Sequence, residues 1–228
     1  MGRNVFLWTG RVLLLLPAVL LLAVAIPRFE SGLAVDAAFP VPAYMVLNVP
    51  LPANSYRAAA DALANASGRD GRAVLEHAEA ASLSGDSPTG VMEMLRTGLT
   101  ETPASVRGWT LLAERLVDQD GKAAATALEH SLLLGRYEYF VAGKRARVAA
   151  AVWDQLSPDA QAAMLPQARL LWTEIALRPE MTLLLSTQAG REMMGRAFRD
   201  DPEQLRALNR WLAQERRERA RESLERRP

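Results

Sequence analysis

From Asn54 onward the apolar residues recur at helical spacing, and no segment sustains the apolar–polar alternation of a strand. Polar caps and breakers divide this half-apolar chain into helices. Asn54 or Ser55 opens a helix to about Ala66, and Ser67-Gly68-Arg69-Asp70-Gly71 breaks it. Asp70 caps the next helix, which runs through Ser82. Ser87-Pro88, Thr102-Pro103, Ser157-Pro158 and Asp201-Pro202 each place a capping residue before a proline, the residue best tolerated in a first turn. Gly98 or Thr100 ends the helix begun at Ser87, and Asp120 opens one that Gly135 closes. The pattern predicts an all-α fold with essentially no sheet.

Beyond Gly143 the pattern stays helical and loses its regularity. Lys144 to Leu156 reads as one amphipathic helix with Val148, Val152 and Leu156 on a stripe. Pro158 to Leu177 is another, which Pro166 should kink or split. Glu180–Ser186 and Gln188–Phe198 are short helices. The last runs from Pro202 to Leu224, and its stripe of Leu205, Leu208, Trp211 and Leu212 ends at Ala213.

The N-terminus has a different character. Val12 to Ile26 is an unbroken apolar run flanked by Arg11 and Arg28. With Arg11 snorkelling, Val5 to Ile26 meets the ~20 residues a bilayer span requires. Trp8 would lie at an interface, and the excess of positive charge before the run puts the N-terminus in the cytoplasm. Ala23-Val24-Ala25 is also a cleavage pattern, so a removed secretory signal is the alternative. Either way the body is exported. Pro40, Pro42, Pro50 and Pro52 make the following stretch an extended strap. The expected organisation is an anchor or signal over 1–27 and the strap over 28–53. Repeats follow over 54–136, a C-terminal helical bundle over 137–213, and a charged helical tail over 214–228.

Composition narrows the chemistry. A net charge of +1 gives no electrostatic footprint for nucleic acid, and the chain has no cysteine, which removes disulfides and thiolate chemistry. The two histidines, His77 and His130, lie mid-helix without metal-ligand spacing. No nucleophile elbow, phosphate loop or dinucleotide fingerprint occurs. The sequence points to no catalytic residue, metal or cofactor, and to a protein that is not an enzyme.

The stretch P-A-S-V-R-G-W-T-L-L-A-E-R-L, followed after a D-Q-D-G break by K-A-A-A-T-A-L-E-H-S-L, resembles a tetratricopeptide repeat (TPR). Trp109, Leu112, Ala113 and Leu116 take the large-large-small-large positions of its first helix. Ala124, Leu128 and Ser131 take the small and medium positions of its second. A shift of about 34 residues, the period of that family, sets Leu75, Ala78 and Asp86 under Trp109, Leu112 and Asp120. The first unit is therefore degenerate, and flanking helices must cap so short a stack. Leu116 departs from the family, as does Gly135-Arg136 in place of the usual closing proline. The anchor, the strap, L-L-L-G-R-Y-E and D-P-E-Q-L-R-A-L-N-R-W-L together are similar to accessory proteins of bacterial exopolysaccharide or O-antigen assembly.

Two surfaces follow as candidate sites. With Trp109 in the core, Arg107, Thr110 and Glu114 face the groove of the repeat, and Glu76 is their counterpart in the earlier unit. They would touch a bound peptide or helix, or else form an ordinary solvated face. In Gly135–Arg147, the residues Tyr137, Tyr139, Lys144 and Arg145 could engage a glycan or an acidic partner. The competing reading has Tyr139 and Phe140 plugging the core while the cations face water. The tail from Glu215 to Arg227 reads as a solvated helix laced by i,i+4 pairs.

The resulting expectation is a non-catalytic periplasmic scaffold, anchored in the inner membrane by a single span. Its partner is an integral membrane protein of the envelope, in polysaccharide polymerisation or export. A periplasmic glycan- or peptide-binding module is the alternative.

Overall fold

The structure is a computed structural model that describes residues 41–46, 49–64 and 70–225, with scattered positions between 17 and 38. Its helices are α1 (Val41–Val46), α2 (Ala53–Ala64), α3 (Gly71–Ser84), α4 (Pro88–Glu101), α5 (Val106–Leu116) and α6 (Gly121–Leu134). These are followed by α7 (Ala142–Ala151), α8 (Pro158–Thr173), α9 (Arg178–Leu184), α10 (Gln188–Ala197) and α11 (Pro202–Glu225). Single 3-10 turns stand at Tyr139–Val141, Trp153–Gln155 and Ile175–Leu177. Among the described residues there is no strand, so the fold is all-α.

The chain divides by its internal packing into Met1–Ala104 and Ser105–Pro228, a boundary that falls inside the span expected to form one repeat domain. In the first unit α2, α3 and α4 pack in succession. Leu63, Ala73, Ala78, Val91 and Leu95 form their core. Asp70 accepts from the Arg72 amide at 2.9 Å, as its cap position predicts, and Gly85, at φ 89°, closes α3 in the left-handed region. Glycine also lets α3 and α4 touch backbone to backbone. A Cβ on Gly71 would stand 2.9 Å from the Gly98 carbonyl oxygen, and one on Gly98 would stand 3.1 Å from that of Gly71.

In the second unit α5 and α6 form a tight hairpin, capped by Ser105 on the Gly108 amide and by Asp120 on the Ala123 amide, both at 3.0 Å. α8 packs on α7 and α10 around Met164, Leu171, Met193 and Met194. α11 is fastened by buried Leu208 and by Trp211, whose ring meets Trp172 edge-on at 6.0 Å. The Trp172 indole also donates to Gln204 Oε1 at 2.7 Å.

Several elements differ from expectation. The strap is not uniformly extended: Val41–Val46 is helical, because Pro42 occupies the first turn, where the missing N–H costs nothing. Thr102-Pro103 starts no helix; Thr102 ends α4, and Ser105 is the cap of α5. α8 runs unbroken through Pro166. Pro166 and Ala162 are both exposed, so water can meet the carbonyl left without a donor. α7 stops at Ala151, and a 3-10 turn takes over to bury Trp153. Trp109 is only half-buried and stacks on His130 at 4.6 Å. The expected membrane span lies largely outside the described residues; its described positions between Pro17 and Ile26 are helical. Among the described residues no helix is long and apolar enough to cross a membrane.

Gly71→Ala should lower stability by about 1–3 kcal/mol in urea unfolding, because its Cβ would meet Glu101 Cβ at 2.7 Å and the Gly98 carbonyl oxygen at 2.9 Å, neither of which a rotamer change can move. Gly90→Ala on α4 meets nothing within 4 Å and should raise stability by about 0.4–1 kcal/mol.

His77, half-buried on α3, keeps Nδ1 from solvent without a hydrogen-bond partner. Burial lowers its pKa from 6.5, against the opposing charges of Asp86 and Asp61. The unfolded chain therefore takes up this proton first. The stability is complete above 6.5 and falls as pH drops from there to the lower folded value. Urea midpoints measured from about pH 7.5 down to about pH 5 should decline, and His77→Gln should flatten that slope.

Candidate functional site

The C-terminal end of α6 is where side-chain chemistry concentrates in the second unit. Ser131, buried in its last full turn, lies 2.9 Å from the Val106 carbonyl and 2.7 Å from Thr110 Oγ1. Thr110 Oγ1 is itself 3.0 Å from the same carbonyl. Two hydroxyl protons thus serve one carbonyl oxygen and each other, and they tie the start of α5 to the end of α6.

Arg145 of α7 enters this corner wholly buried. Its Nε and Nη2 donate to Ser131 Oγ at 3.0 and 2.7 Å, and its Nη1 donates to the Gly135 carbonyl at 2.7 Å. Nη2 also donates to the Ser131 carbonyl. The guanidinium therefore sits on the carbonyls at the negative dipole end of α6, where the Ser131 carbonyl also accepts the Gly135 amide at 3.2 Å. No carboxylate among the described residues hydrogen-bonds it. Burial lowers its pKa to about 10, with Glu138 opposing, and it stays charged at neutral pH.

Two residues on, Arg147 pairs with Glu180 of α9 and, at 3.1 Å, with Glu114 of α5. Burial disfavours its charge, but the two carboxylates outweigh burial and raise its pKa above the ordinary value. Gly143 makes room for this clamp, since a Cβ there would meet Glu180 Cγ at 2.8 Å.

With Arg145 turned inward, apolar side chains face outward. Leu133 is 83% exposed, Tyr137 76% and Phe140 42%, and Leu134 is exposed beside them. Tyr139, half-buried, meets Phe140 edge-on at 5.4 Å. A groove of about 310 Å³ between α6 and α8 adjoins them, lined by Thr126, Glu129, His130, Leu133, Arg136 and Asp159 among others. Glu129 shapes its edge by accepting from the Ser157 amide at 2.8 Å.

The sequence-predicted residues separate into two groups. Thr110 does not face a groove; it is buried against Ser131, because the hairpin seam takes a small hydroxyl there and leaves Trp109 half-exposed. Arg145 does not reach solvent either, and so cannot touch a glycan. The reading with rings in the core and cations in water is reversed at Phe140 and Arg145. Glu114 is taken up by Arg147, and Arg107 and Lys144 are half-buried. Glu76 belongs to the first unit, where it pairs with Arg72 at 2.9 Å. Tyr137 and Tyr139 remain at the surface with Arg136 of the same stretch, and Leu133 and Leu134, which the sequence reading did not single out, are exposed at the end of α6. Leu133 and Leu134 fall outside the stripe of Ala124, Leu128 and Ser131, and that register could have identified them.

Compared with known protein families, characterised proteins and solved structures, the chain matches none.

Arg145→Met should lower stability by about 2–3 kcal/mol in denaturant unfolding, since the Gly135 carbonyl loses the Arg145 donor and the Ser131 carbonyl keeps only the Gly135 amide at 3.2 Å. Arg145→Lys should recover only part of that loss, because an ammonium cannot span both carbonyls as the planar fork does.

Proposed function

We propose that the chain is a non-catalytic scaffold, anchored in the inner membrane, whose TPR-like helices stand in the periplasm. There it holds an integral membrane protein of the envelope, in surface-polysaccharide polymerisation or export. The observation that carries the binding role is the exposure of four large apolar side chains close in sequence, Leu133, Leu134, Tyr137 and Phe140, at and after an end of α6 fixed by buried Arg145. Water-exposed side chains of this kind, clustered on a rigid frame, are the usual material of a partner contact.

The repeat reading draws support from the α5–α6 hairpin. Leu112, Ala113, Leu116, Ala124, Leu128 and Ser131 are all buried, as the motif positions require. The anchor draws support from Val19, Leu20, Leu21 and Leu22, which are 56–70% exposed on helical backbone; consecutive positions run around a helix, and lipid would cover a helix apolar on all sides. Charge asymmetry around that run carries the orientation.

The test is purification of the full chain from membranes in mild detergent, with mass spectrometry of what accompanies it. An integral envelope protein should co-purify, and Leu133→Asp with Tyr137→Ala should reduce its recovery about tenfold or more while the helical circular dichroism is unchanged. Recovery of no membrane protein, or equal recovery with both chains, removes the scaffold reading. Intact mass beginning at Ile26 instead of Met1 removes the anchor. Anionic oligosaccharide that shifts the Tyr137 and Tyr139 resonances would favour the glycan-binding alternative.

A further inference from the structure

A second groove, of about 260 Å³, lies between α10, α11 and the end of α9, and shares no residue with the groove beside α6. Its floor is apolar and buried: Leu185, Met194 and Leu208. Leu205 and Leu212 wall it from α11, half-exposed. Its charged lining has one sign. Arg191 and Arg216 are exposed on the rim, and no carboxylate lines the groove.

Both arginines differ from Arg196 of α10, which pairs with Glu192 at 2.5 Å. Neither Arg191 nor Arg216 pairs with a carboxylate among the described residues. Arg191 is held in place, because its Nη1 donates to the carbonyls of Leu185 and Ser186 at 3.0 and 3.1 Å.

Gly195 opens the groove. It stands inside α10, where glycine costs about 1 kcal/mol relative to alanine. A Cβ there would meet nothing within 4 Å, so packing within this chain does not require the glycine. What it leaves is a notch over an apolar floor, where an incoming backbone can approach closely.

We infer that this groove docks an acidic amphipathic helix of another protein. One or two large apolar side chains enter over Leu208, and carboxylates on the adjoining turns meet Arg191 and Arg216. The volume suits a helix anchor set. A concave groove with one arginine fixed on its rim selects a side chain in a pocket over a flat lipid surface. This inference does not rest on the scaffold reading, since it concerns a different surface.

The experiment uses the full chain in detergent and two fluorescein-labelled synthetic peptides of about 18 residues, beyond the length at which isolated helices are marginal. Both carry leucine at i, i+3 and i+7; one has glutamates flanking that stripe, and the other has lysines. Fluorescence anisotropy should show the glutamate peptide binding at least about tenfold more tightly, with the difference shrinking at high salt. Gly195→Trp, at a position whose Cβ would meet nothing within 4 Å, puts a large ring in the notch and should weaken that binding about tenfold or more while the helical circular dichroism is unchanged. Arg216→Glu should weaken the glutamate peptide and strengthen the lysine one.

Equal binding of both peptides overturns the inference, as does binding that Gly195→Trp leaves unchanged. Binding of phosphatidylglycerol vesicles that Arg216→Glu abolishes, without peptide binding, would assign the groove to membrane. Self-association that Gly195→Trp abolishes would assign it to a second copy of the chain. Either result overturns the acidic-helix assignment.

Discussion

A buried guanidinium whose hydrogen bonds all go to neutral groups sets the geometry of the second unit. Taking Arg145 out of water carries a desolvation cost of several kcal/mol, and one ordinary hydrogen bond would not offset it. Four contacts do: the Ser131 hydroxyl from two nitrogens, the Ser131 carbonyl, and the Gly135 carbonyl. Two of these acceptors are carbonyls at the helix end: that of Gly135, and that of Ser131, which also accepts the Gly135 amide at 3.2 Å. The arginine and the end of α6 therefore solve one another's problem. Neither could be buried alone, and both positions are fixed to within a hydrogen-bond length.

Consequences follow in order along the chain. Fixing Arg145 sets the rotation of α7. Arg147, two residues later, is then directed to a different neighbour and meets Glu114 and Glu180. Three helices, α5, α7 and α9, are tied at that point by charge, and the Gly143 contact with Glu180 lets them close. The segment between Gly135 and Tyr139 is short, so with α6 and α7 both fixed it has little freedom. Tyr137 and Phe140 are held outward instead of collapsing onto the core.

Helices and most caps were legible because they depend on local chemistry. Asp70, Ser105, Asp120, Ser157, Thr187 and Asp201 each accept from an amide two or three residues on, whatever surrounds them. Four of these positions are visible as S/D beside a proline or glycine; Thr187 stands beside neither, and Ser105 was hidden by the more conspicuous Thr102-Pro103. Site geometry was less legible because it depends on contacts across the sequence. Arg145 is separated from Ser131 by a loop, and nothing in R-Y-E-Y-F-V-A-G-K-R-A-R marks which cation turns inward. Arginines are rarely buried, so the default reading exposed it. The opposed small hydroxyls Thr110 and Ser131 were the available clue, since a seam of this kind attracts a polar partner.

Aromatic economy strengthens the argument for a contact surface at the α6 end. The chain has only 5 Trp, 4 Tyr and 5 Phe, and its core is built largely from alanine, leucine and methionine. The rings it does bury do structural work at identifiable places: Tyr56 in the first unit, and Trp153, Trp172 and Phe198 in the second. Each of the last three has an arginine over its face, from Arg196, Arg178 and Arg169 respectively. Tyr137 and Phe140 instead lie 76% and 42% exposed. Their segment is held against collapse by the Arg145 bonds at one end and the Tyr139 turn at the other. An apolar surface maintained at a cost in hydration is most simply understood as one whose cover comes from outside the chain.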